Sequence, residues 1–206
     1  MTDGSVEHHT EYGRKFLPTV WAHFPIWGKC ALFCFLIFRR LYMKKVGIVM
    51  GSDSDLPILR KTMDTLASLD IPFECHVYSA HRTPEEARDF AVNARKNGIG
   101  VMIAAAGMAA HLAGAIAANT TLPVIGLPCK GPCFDGMDAL LSTVMMPSGI
   151  PVATVAVNGG VNAALLAAQI LAVSDDELAA RLDAKRASDA AKVLEKDAAL
   201  QAELNK

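Results

Sequence analysis

The sequence lacks the motifs that mark the commonest hydrolytic and metal-dependent enzymes. It has no His-Glu-x-x-His segment, no Ser-His-Asp arrangement and no pair of carboxylates spaced for acid and base work. Glycine-rich loops of the Walker or Gly-x-Gly-x-x-Gly type are missing too. Because each of these chemistries depends on its own residue pattern, the sequence gives no support to a hydrolase or a metalloenzyme.

An excess of charge of either sign is also missing. The 206 residues carry a formal net charge of -1, and the isoelectric point is near 6.6. Nucleic acids and anionic membranes select clustered lysine and arginine, which this balance does not provide. We therefore expect a small-molecule partner, with no nucleic acid and no membrane. A chain of this length fits one ordinary domain plus an appendage.

Hydrophobic runs long enough to span a membrane are absent. The apolar run Cys30 to Phe38 is far shorter than the roughly 20 residues that cross a bilayer. It ends in Arg39 and Arg40 with no small-residue cleavage site after it. Neither a transmembrane helix nor a signal peptide is predicted, although an anchor at the membrane surface stays open on these residues alone.

The first 42 residues differ in composition from the rest. Nine of the thirteen aromatic residues precede Lys44, and the later part is rich in Ala, Val, Leu and Gly. Met43 stands directly before two lysines and a predicted strand, as an ordinary start would. We expect residues 1–42 to be a disordered extension or an upstream start-codon assignment, and residues 43–206 to form the functional domain.

Cysteine is scarce, and its spacing is unlike that of a metal site. The five cysteines include two pairs four residues apart, Cys30 with Cys34 and Cys129 with Cys133. A zinc site would need closer pairs or a second ligand pair nearby. We interpret the cysteines as reduced thiols of a cytoplasmic protein and expect no metal.

From Met43 onward, short apolar runs alternate with longer helical stretches, which is typical of repeated βαβ units. Five runs predict strands: Val46 to Met50, Phe73 to Tyr78, Val101 to Ala105, Val124 to Leu127 and Val152 to Val157. Most are almost continuously apolar, as strands covered on both faces are. The sequence predicts a single doubly wound, flavodoxin-like, three-layer α/β/α domain with a five-stranded parallel sheet.

Six helices are predicted between and after these strands. They begin after Asp55 and at Thr83, cover residues 109–119, 135–144 and 162–173, and end with a charged helix from Ser174. Thr83 with Glu86 and Ser174 with Glu177 have the spacing of capping boxes. The helix over residues 162–173 is nearly all apolar, so we expect it to be buried.

The predicted loop after the first strand is unusually polar. In it, Gly51-Ser52-Asp53-Ser54-Asp55 runs straight into a helix, at the edge of the sheet where parallel α/β proteins bind ligands. Gly51 permits a sharp turn, hydroxyls and helix N-H groups can hold a phosphate, and a carboxylate can accept hydrogen bonds from a sugar. Helix capping by Ser54 or Asp55 explains the same residues equally well.

The loop after the second strand carries Ser79-Ala80-His81-Arg82-Thr83-Pro84. An imidazole can transfer a proton near neutral pH, and a neighbouring guanidinium suits a phosphate. After the third strand, small residues including Gly107 let backbone amides approach a ligand. His111 either contacts that ligand or is a hydrogen-bonded helix residue. His76, in the middle of a strand, is interpreted as structural.

Five segments together resemble the PurE family in order and in loop position. They are Gly51 to Asp55, Ser79 to Pro84, Ala106 to Leu112, Met146 to Pro151 and Asn162 to Ala168. The resemblance covers Met43 to about the end of the chain. It is strongest to class I, whose members move a carboxyl group of an aminoimidazole ribonucleotide from N5 to C4 in de novo purine synthesis.

The resemblance implies a role for each matched residue. His81 would be the general acid and base, and the other site residues would bind substrate: Ser52, Ser54, Asp55, Ser79, Arg82, Gly107 and His111. The ribose phosphate would contact Ser52 and Asp55, and Arg82 would bind a phosphate. The resemblance also implies a homo-octamer and a reaction that needs no metal, ATP or biotin, hence no cofactor.

The sequence departs from the family pattern at two places, and two alternative functions stay open. Met108 and Ala113 replace a glycine and a proline of the usual family loop, and Cys129 to Phe134 differs from the family's stretch rich in Ser and Ala. One alternative is class II, which carboxylates the ribonucleotide directly with carbon dioxide, although the retained His111 segment favours class I. The other is a non-catalytic flavodoxin-like binding module, which the fold alone would allow.

Overall fold

The structure is a computed structural model that describes residues 43–205. The extension predicted over residues 1–42 lies outside the described residues. The elements are β1 (Lys45–Met50), α1 (Leu56–Ser68), β2 (Phe73–Val77), α2 (Pro84–Asn93), β3 (Ile99–Gly107), α3 (Leu112–Ala117), β4 (Val124–Cys129), α4 (Met137–Val144), β5 (Ala153–Thr154), α5 (Gly160–Ala172) and α6 (Asp176–Leu204). Short 3-10 turns, Asp53–Asp55 and Phe134–Gly136, lead into α1 and α4.

The five strands form one sheet in the order β2-β1-β3-β4-β5, and every pairing is parallel. The chain moves outward in one direction from β1 to β2, and in the other direction from β3 to β5. The loops after β1 and β3 therefore diverge, which opens a crevice at the carboxyl edge of the sheet. The predicted doubly wound, five-stranded parallel sheet is confirmed.

Helices cover both faces of the sheet, as the apolar strands predicted. On β3, Val101, Ile103 and Ala105 face a core that α1 and α5 complete, and the alternate residues Met102 and Ala104 face a second core built with α2 and α3. These side chains are almost fully buried. Burying a large apolar side chain stabilises the fold by about 1.5–3 kcal/mol, so the two cores give the three-layer arrangement its stability.

The fifth strand is shorter than the sequence predicted. Only Ala153 and Thr154 pair with β4, whereas the apolar run suggested a strand from Val152 to Val157. The next residue of β4 that faces β5 is Pro128, whose carbonyl still accepts from Asn158 N at 2.9 Å. Proline has no N-H to donate, so the regular ladder ends there.

Helix α5 is buried on one face only, whereas its nearly all-apolar composition predicted burial on every side. It packs on α1 through small residues that are almost fully buried: Gly160, Ala163, Ala164, Ala167 and Ala168. The Thr62 hydroxyl of α1 donates to the Gly160 carbonyl at 2.9 Å, and a Cβ on Gly160 would lie 2.6 Å from the Ile58 carbonyl oxygen. The two helices approach closely enough that only glycine fits at this point.

The charged helix α6 is 29 residues long, and Leu178 in its first turn is its one fully buried residue. Its cap is the Asp175 carboxylate, which accepts from Leu178 N at 2.9 Å; the predicted cap at Ser174 is one residue off. The Thr83 side chain likewise does not cap α2. Among residues 43–205, each helix is either too short or too polar to cross a membrane.

Candidate active site

A cleft of about 520 Å³ lies at the carboxyl ends of the strands. Its walls come from four loops, and the lining includes most of the predicted site residues: Ser52, Ser54, Asp55, Ser79, His81, Arg82 and Gly107. The loops that follow successive strands are far apart along the chain. The parallel sheet brings them together in space, because all its strands end at the same edge. The cleft therefore joins the three polar loops that the sequence singled out.

The loop after β1 presents its polar side chains to this cleft. Ser52 begins the short 3-10 turn, and its hydroxyl accepts from Ser54 N at 3.3 Å. Neither Ser54 nor Asp55 caps a helix through its side chain. The capping explanation for these two residues is therefore wrong, and their position on the cleft wall favours ligand binding.

Gly51 has a different role from the one predicted. Its φ angle lies outside the left-handed region, and a Cβ there would meet Leu112 Cδ2 at an ordinary 3.9 Å. No sharp turn requires glycine at this position. Instead the Gly51 carbonyl accepts a hydrogen bond from Arg82 Nη2 at 2.7 Å. The loops after β1 and β2 are joined by that bond.

The His81 loop is held by hydrogen bonds that centre on Ser79. The Ser79 hydroxyl accepts from the backbone N-H of His81 at 3.3 Å and of Arg82 at 3.2 Å. The Ser79 N-H donates to the Thr83 hydroxyl at 2.8 Å, which explains why that hydroxyl does not cap α2. The side chains of His81 and Arg82 are exposed on the cleft wall. Ser79 thus fixes the backbone that presents an imidazole and a guanidinium.

Asp55 is the buried charge of the cleft, with 8% of its surface exposed. Burial raises the pKa of its carboxyl above the ordinary value of 3.8, with a smaller raising effect from Asp53. Hydrogen bonds from the Cys129 thiol and from the Ser52 backbone act in the opposite direction and lower this pKa. The carboxyl thus depends on its neighbours to stay ionised.

Cys129, at the end of β4, is a buried thiol close to Asp55, a proximity that the sequence did not reveal. It is 1% exposed, and burial together with Asp55 raises the pKa of its thiol to about 12. The thiol is therefore protonated near neutral pH. The missed signal was its position, since β4 ends at the same edge of the sheet as the other site loops.

Lys130 is a second residue that the sequence did not identify. It lines the cleft, its Nζ lies 2.6 Å from Asp135 Oδ1, and its backbone N-H donates to Asn158 Oδ1 at 2.8 Å. The nearby ammonium lowers the pKa of the exposed Asp135 carboxyl. Across residues 43–205, no group of three or more His, Cys, Asp or Glu is arranged to hold a metal ion.

His111 is the one predicted site residue that the structure does not bring to the cleft. Its Nδ1 lies 2.6 Å from the carbonyl oxygen of Ser142 in α4, and His111 is the N-cap residue of α3. This is the hydrogen-bonded alternative that the sequence left open, and a substrate contact by His111 stays a prediction. Met108, which replaces a family glycine, lines the cleft with φ at 57°.

His76 has the structural surroundings that the sequence suggested. Its ring stacks on Tyr78 with centroids 4.9 Å apart and meets the edge of Phe90 at the same distance. This aromatic cluster ties β2 to α2. Because α2 follows the His81 loop, the cluster anchors one wall of the cleft from behind.

Comparison of the sequence with protein-family models identifies the family of the chain. The family model described as AIR carboxylase matches residues 45–192, from β1 into α6. The chain belongs to the AIR carboxylase family. The match spans every loop of the cleft, and it confirms the resemblance to the PurE family.

Similar proteins of the AIR carboxylase family include enzymes named as mutases and enzymes named as carboxylases. The chain is 52% identical over 152 residues to the N5-carboxyaminoimidazole ribonucleotide mutase of Bacillus subtilis, covering 73% of this chain and 94% of the relative. It is 51% identical to the phosphoribosylaminoimidazole carboxylase of Saccharomyces cerevisiae, covering 67% of this chain and 24% of that protein. Matches to mutases from several organisms support the assignment to class I.

A solved structure supports the same fold. The crystal structure of Treponema denticola PurE superposes with a TM-score of 0.68 at 31% identity, covering 75% of this chain and 97% of that one. The three-layer arrangement is thus shared with an experimentally determined member of the family.

Proposed function

We propose that this protein is an isomerase of de novo purine biosynthesis. It converts N5-carboxyaminoimidazole ribonucleotide to 5-amino-1-(5-phosphoribosyl)imidazole-4-carboxylate by moving the carboxyl group from N5 to C4. The observation that carries the proposal is one cleft holding His81, Arg82 and the Ser52 to Asp55 turn, in a chain 52% identical to a mutase of that name.

The charged and polar groups of the cleft match the parts of this substrate. Arg82 supplies a guanidinium for the phosphate, and the hydroxyls of Ser52 and Ser54 add donors to it. The Asp55 carboxylate accepts hydrogen bonds from ribose hydroxyls. Gly107 lines the cleft and offers its backbone to the ligand, and a Cβ there would lie a tight 3.3 Å from the Cys129 carbonyl oxygen. Ser79 acts indirectly by fixing the His81 backbone.

His81 carries the proton in the proposed reaction. The bond between N5 and the carboxyl carbon breaks and releases carbon dioxide, whose carbon is then attacked by C4. The C4 proton passes to His81, which restores the aromatic ring, and a proton returns to N5. Atoms and electrons balance without an oxidant, a reductant or a second carboxyl donor, so we expect no cofactor. Substrate bound in the cleft would displace water from beside C4, which favours recapture of the released carbon dioxide.

A comparison of two substrates tests this function against direct carboxylation, the activity in the name of the yeast relative. Purified protein is offered either the N5-carboxy ribonucleotide or the decarboxylated ribonucleotide with bicarbonate, and formation of the 4-carboxylate is followed. We expect rapid formation from the first substrate only. Efficient use of the second alone would identify a class II carboxylase, and turnover of neither would favour a binding module.

We also propose a homo-octamer in the cytoplasm. Helix α4 and the turn before it expose large apolar side chains, among them Phe134, Met137, Leu141 and Val144. Apolar surface of this extent on one side of a helix usually marks an interaction site. Light scattering should give eight times the chain mass, and a stable monomer at micromolar concentration would refute the octamer.

The proposed catalytic unit is residues 43–206. The family match begins at residue 45, and every residue lining the cleft lies at or beyond Gly51. A chain shortened to residues 43–206 should therefore turn over substrate at the full-length rate. A large loss of kcat in the shortened chain would show that residues 1–42 contribute to the site.

A further inference from the structure

Lys130 is a cation at the cleft that the proposed reaction does not yet use. It directly follows β4, and it lines the same space as His81 and Arg82. Within the described part of the chain, Arg82 and Lys130 are the arginine and lysine residues of this lining, and Asp55 is its one acidic residue. The proposed substrate carries two anionic groups, a phosphate and a carboxylate. Arg82 accounts for the phosphate, and the carboxylate still lacks a partner.

Arg82 and Lys130 lie on opposite sides of β3. The Arg82 guanidinium donates to the Gly51 carbonyl at 2.7 Å, which places it at the end of β1. Lys130 comes directly after β4, and β3 lies between β1 and β4 in the sheet. Neighbouring strands are roughly 4.8 Å apart, so two spacings put the guanidinium about 10 Å from the Lys130 backbone. A ribonucleotide whose phosphate is bound by Arg82 can therefore extend across the crevice and bring its base toward Lys130.

The backbone of Lys130 is held by contacts from two other segments. Its N-H donates to Asn158 Oδ1 at 2.8 Å, and Asn158 N donates to the Pro128 carbonyl of β4 at 2.9 Å. Asn158 has a φ of 58°, a left-handed conformation that asparagine adopts more readily than most residues. Gly136 also packs closely, since a Cβ there would lie 3.2 Å from Lys130 Cα. These contacts fix the point from which the lysine side chain extends.

The Lys130 ammonium, by contrast, is held in an exposed ion pair. Its Nζ lies 2.6 Å from Asp135 Oδ1, and 54% of the Lys130 side chain and 88% of the Asp135 side chain are exposed. Ion pairs between exposed side chains contribute little to stability, because water solvates both charges well and pairing restricts both side chains. Another carboxylate can therefore replace Asp135 beside the ammonium at little cost in free energy.

A left-handed turn brings Asp135 back to this lysine. Phe134, Asp135 and Gly136 have φ angles of 55°, 52° and 89°. Residues other than glycine adopt such angles at a cost in free energy, and strained positions of this kind cluster at ligand-binding sites. Phe134 and Asp135 are both exposed, so burial of their side chains does not account for the strain. The turn instead places a carboxylate on a cation at the edge of the cleft.

We propose that Lys130 is a further substrate-binding residue, whose ammonium exchanges the Asp135 carboxylate for the C4 carboxylate of the ribonucleotide. The inference rests on the proposed function for the identity of that ligand. When carbon dioxide adds to C4, a neutral molecule becomes a carboxylate, and a cation beside it stabilises the charge that forms. The flexible four-carbon stem of lysine lets the ammonium leave Asp135 and turn into the cleft. Lys130 thereby distinguishes the carboxylated ribonucleotide from the decarboxylated one.

Binding of two ribonucleotides to the full-length protein tests this role. The 4-carboxylate product and the decarboxylated aminoimidazole ribonucleotide share the phosphate and differ in the carboxylate, so only the first should depend on Lys130. Calorimetry compares the wild type with Lys130→Met, which removes the charge from a side chain of similar length, and with Lys130→Arg, which keeps a charge. Lys61→Met is the matched control, because Lys61 is an exposed lysine of α1 that does not line the cleft.

We expect Lys130→Met to weaken binding of the 4-carboxylate product by about 10-fold or more, and to change binding of the decarboxylated ribonucleotide by less than about twofold. Lys130→Arg should keep most of the affinity for the product, and Lys61→Met should bind both ligands as the wild type does. Asp135→Asn should bind the product at least as tightly as the wild type, because the ammonium then has no competing carboxylate.

Three results would overturn the inference. An equal loss of affinity for both ribonucleotides in Lys130→Met would assign Lys130 to the phosphate that they share. Unchanged binding of the product in that variant would remove Lys130 from the site. Weaker binding of the product in Asp135→Asn would show that Asp135 supports the site and is not exchanged for the ligand.

The binding measurements separate this inference from the proposed function, because they need no turnover. A wild-type protein without mutase activity, whose Lys130→Met variant still loses affinity for the 4-carboxylate alone, would refute the function and support the role of Lys130. An active mutase whose Lys130→Met variant binds both ribonucleotides as the wild type does would refute the role of Lys130 alone.

Discussion

At the scale of single residues, the roles proposed for His81 and Arg82 differ: His81 would carry a proton, and Arg82 would be a fixed cation. They are adjacent in sequence, and the Ser79 hydroxyl binds both of their backbone N-H groups. If these roles are correct, removing each side chain should have a different kinetic effect. Turnover should depend on the first and substrate affinity on the second.

Replacing His81 with Asn should abolish turnover and leave binding nearly intact. The amide cannot accept the C4 proton, and general acid and base catalysis is typically worth about 10²- to 10⁴-fold in rate. We expect kcat to fall by about that factor, while the dissociation constant of the 4-carboxylate product, measured by calorimetry, changes only a few-fold. A variant with a near-normal rate would remove His81 from the mechanism.

Replacing Arg82 with Met should raise KM by about 10- to 100-fold, since a hydrogen bond to a charged group contributes about 1.5–3 kcal/mol. The side chain is exposed, so the melting temperature should hardly change. Arg82→Lys keeps the charge but loses the planar guanidinium that donates to the Gly51 carbonyl. Its KM should therefore lie between those of the wild type and Arg82→Met. Steady-state kinetics of the three proteins decide this, and an unchanged KM in Arg82→Met would refute phosphate binding by Arg82.

Asp55→Asn should weaken substrate binding but stabilise the fold at neutral pH. Burial raises the pKa of Asp55 above 3.8, so the folded protein binds this proton more tightly than the unfolded chain. The contribution of Asp55 to stability is therefore fully present below pH 3.8 and is lost as pH rises through the raised pKa. The stability gain of the variant should appear above that range and vanish near pH 3.8 in denaturant titrations. A variant less stable than wild type at pH 7 would contradict the raised pKa.

The sequence identifies a site residue when its own chemistry marks it, and misses one whose surroundings depend on a distant part of the chain. His81 and Arg82 were predictable because both follow a recognisable strand and carry chemistry of their own. The surroundings of Cys129 were not, because its neighbour Asp55 lies on another loop and no spacing in the sequence encodes that proximity. His111 had two open interpretations, and only the position of Ser142 in space favours one of them.

At the scale of elements, the strands were predictable wherever both faces are covered. β1, β3 and β4 are central, and their continuous apolar runs identify them. β5 was overestimated because the ladder stops at Pro128, and the position of that proline opposite β5 depends on the register. The first helix was found from its apolar spacing, and the helices after Thr83 and Ser174 from their start signals. The side-chain caps predicted at those two residues were wrong, because other groups compete for the same hydroxyls and N-H groups.

The close contact between β4 and α4 gives a prediction at this scale. A Cβ on Gly126 would collide with the buried Thr143 side chain and lie 3.0 Å from Val152 Cγ1. Gly126→Ala should therefore destabilise the protein by about 1–3 kcal/mol. Gly51→Ala is the matched control, since its Cβ would make only ordinary contacts, with Leu112 at 3.9 Å and Ala106 at 4.0 Å, and its stability should stay within about 0.5 kcal/mol. Equal unfolding free energies for the two variants would contradict this packing.

At the scale of the whole molecule, the doubly wound topology determines where the cleft lies. The change of direction between β1 and β3 opens the carboxyl edge of the sheet, and all four site loops meet there. This much followed from the order of strands and helices in the sequence. Assembly did not, because an interface depends on the shape of a second chain. The resemblance to a family was needed to suggest an octamer.

The exposed apolar side of α4 provides the test of assembly. Leu141→Glu places a charge among Phe134, Met137 and Val144, which a dry interface would not tolerate. We expect the mass from light scattering to fall below that of the wild type, while circular dichroism shows the same helix content because Leu141 is 53% exposed in the single chain. An unchanged mass would exclude this side of α4 from the interface.

In the proposed mutase reaction, the carboxyl group passes from N5 to C4 within the cleft. Labelling that carboxyl with carbon-13 and running the reaction in excess unlabelled bicarbonate distinguishes this transfer from carboxylation by the solvent pool. We expect the 4-carboxylate to keep most of the label, because the carbon dioxide released beside His81 is recaptured before it escapes. An unlabelled 4-carboxylate, formed at the expense of bicarbonate, would contradict it.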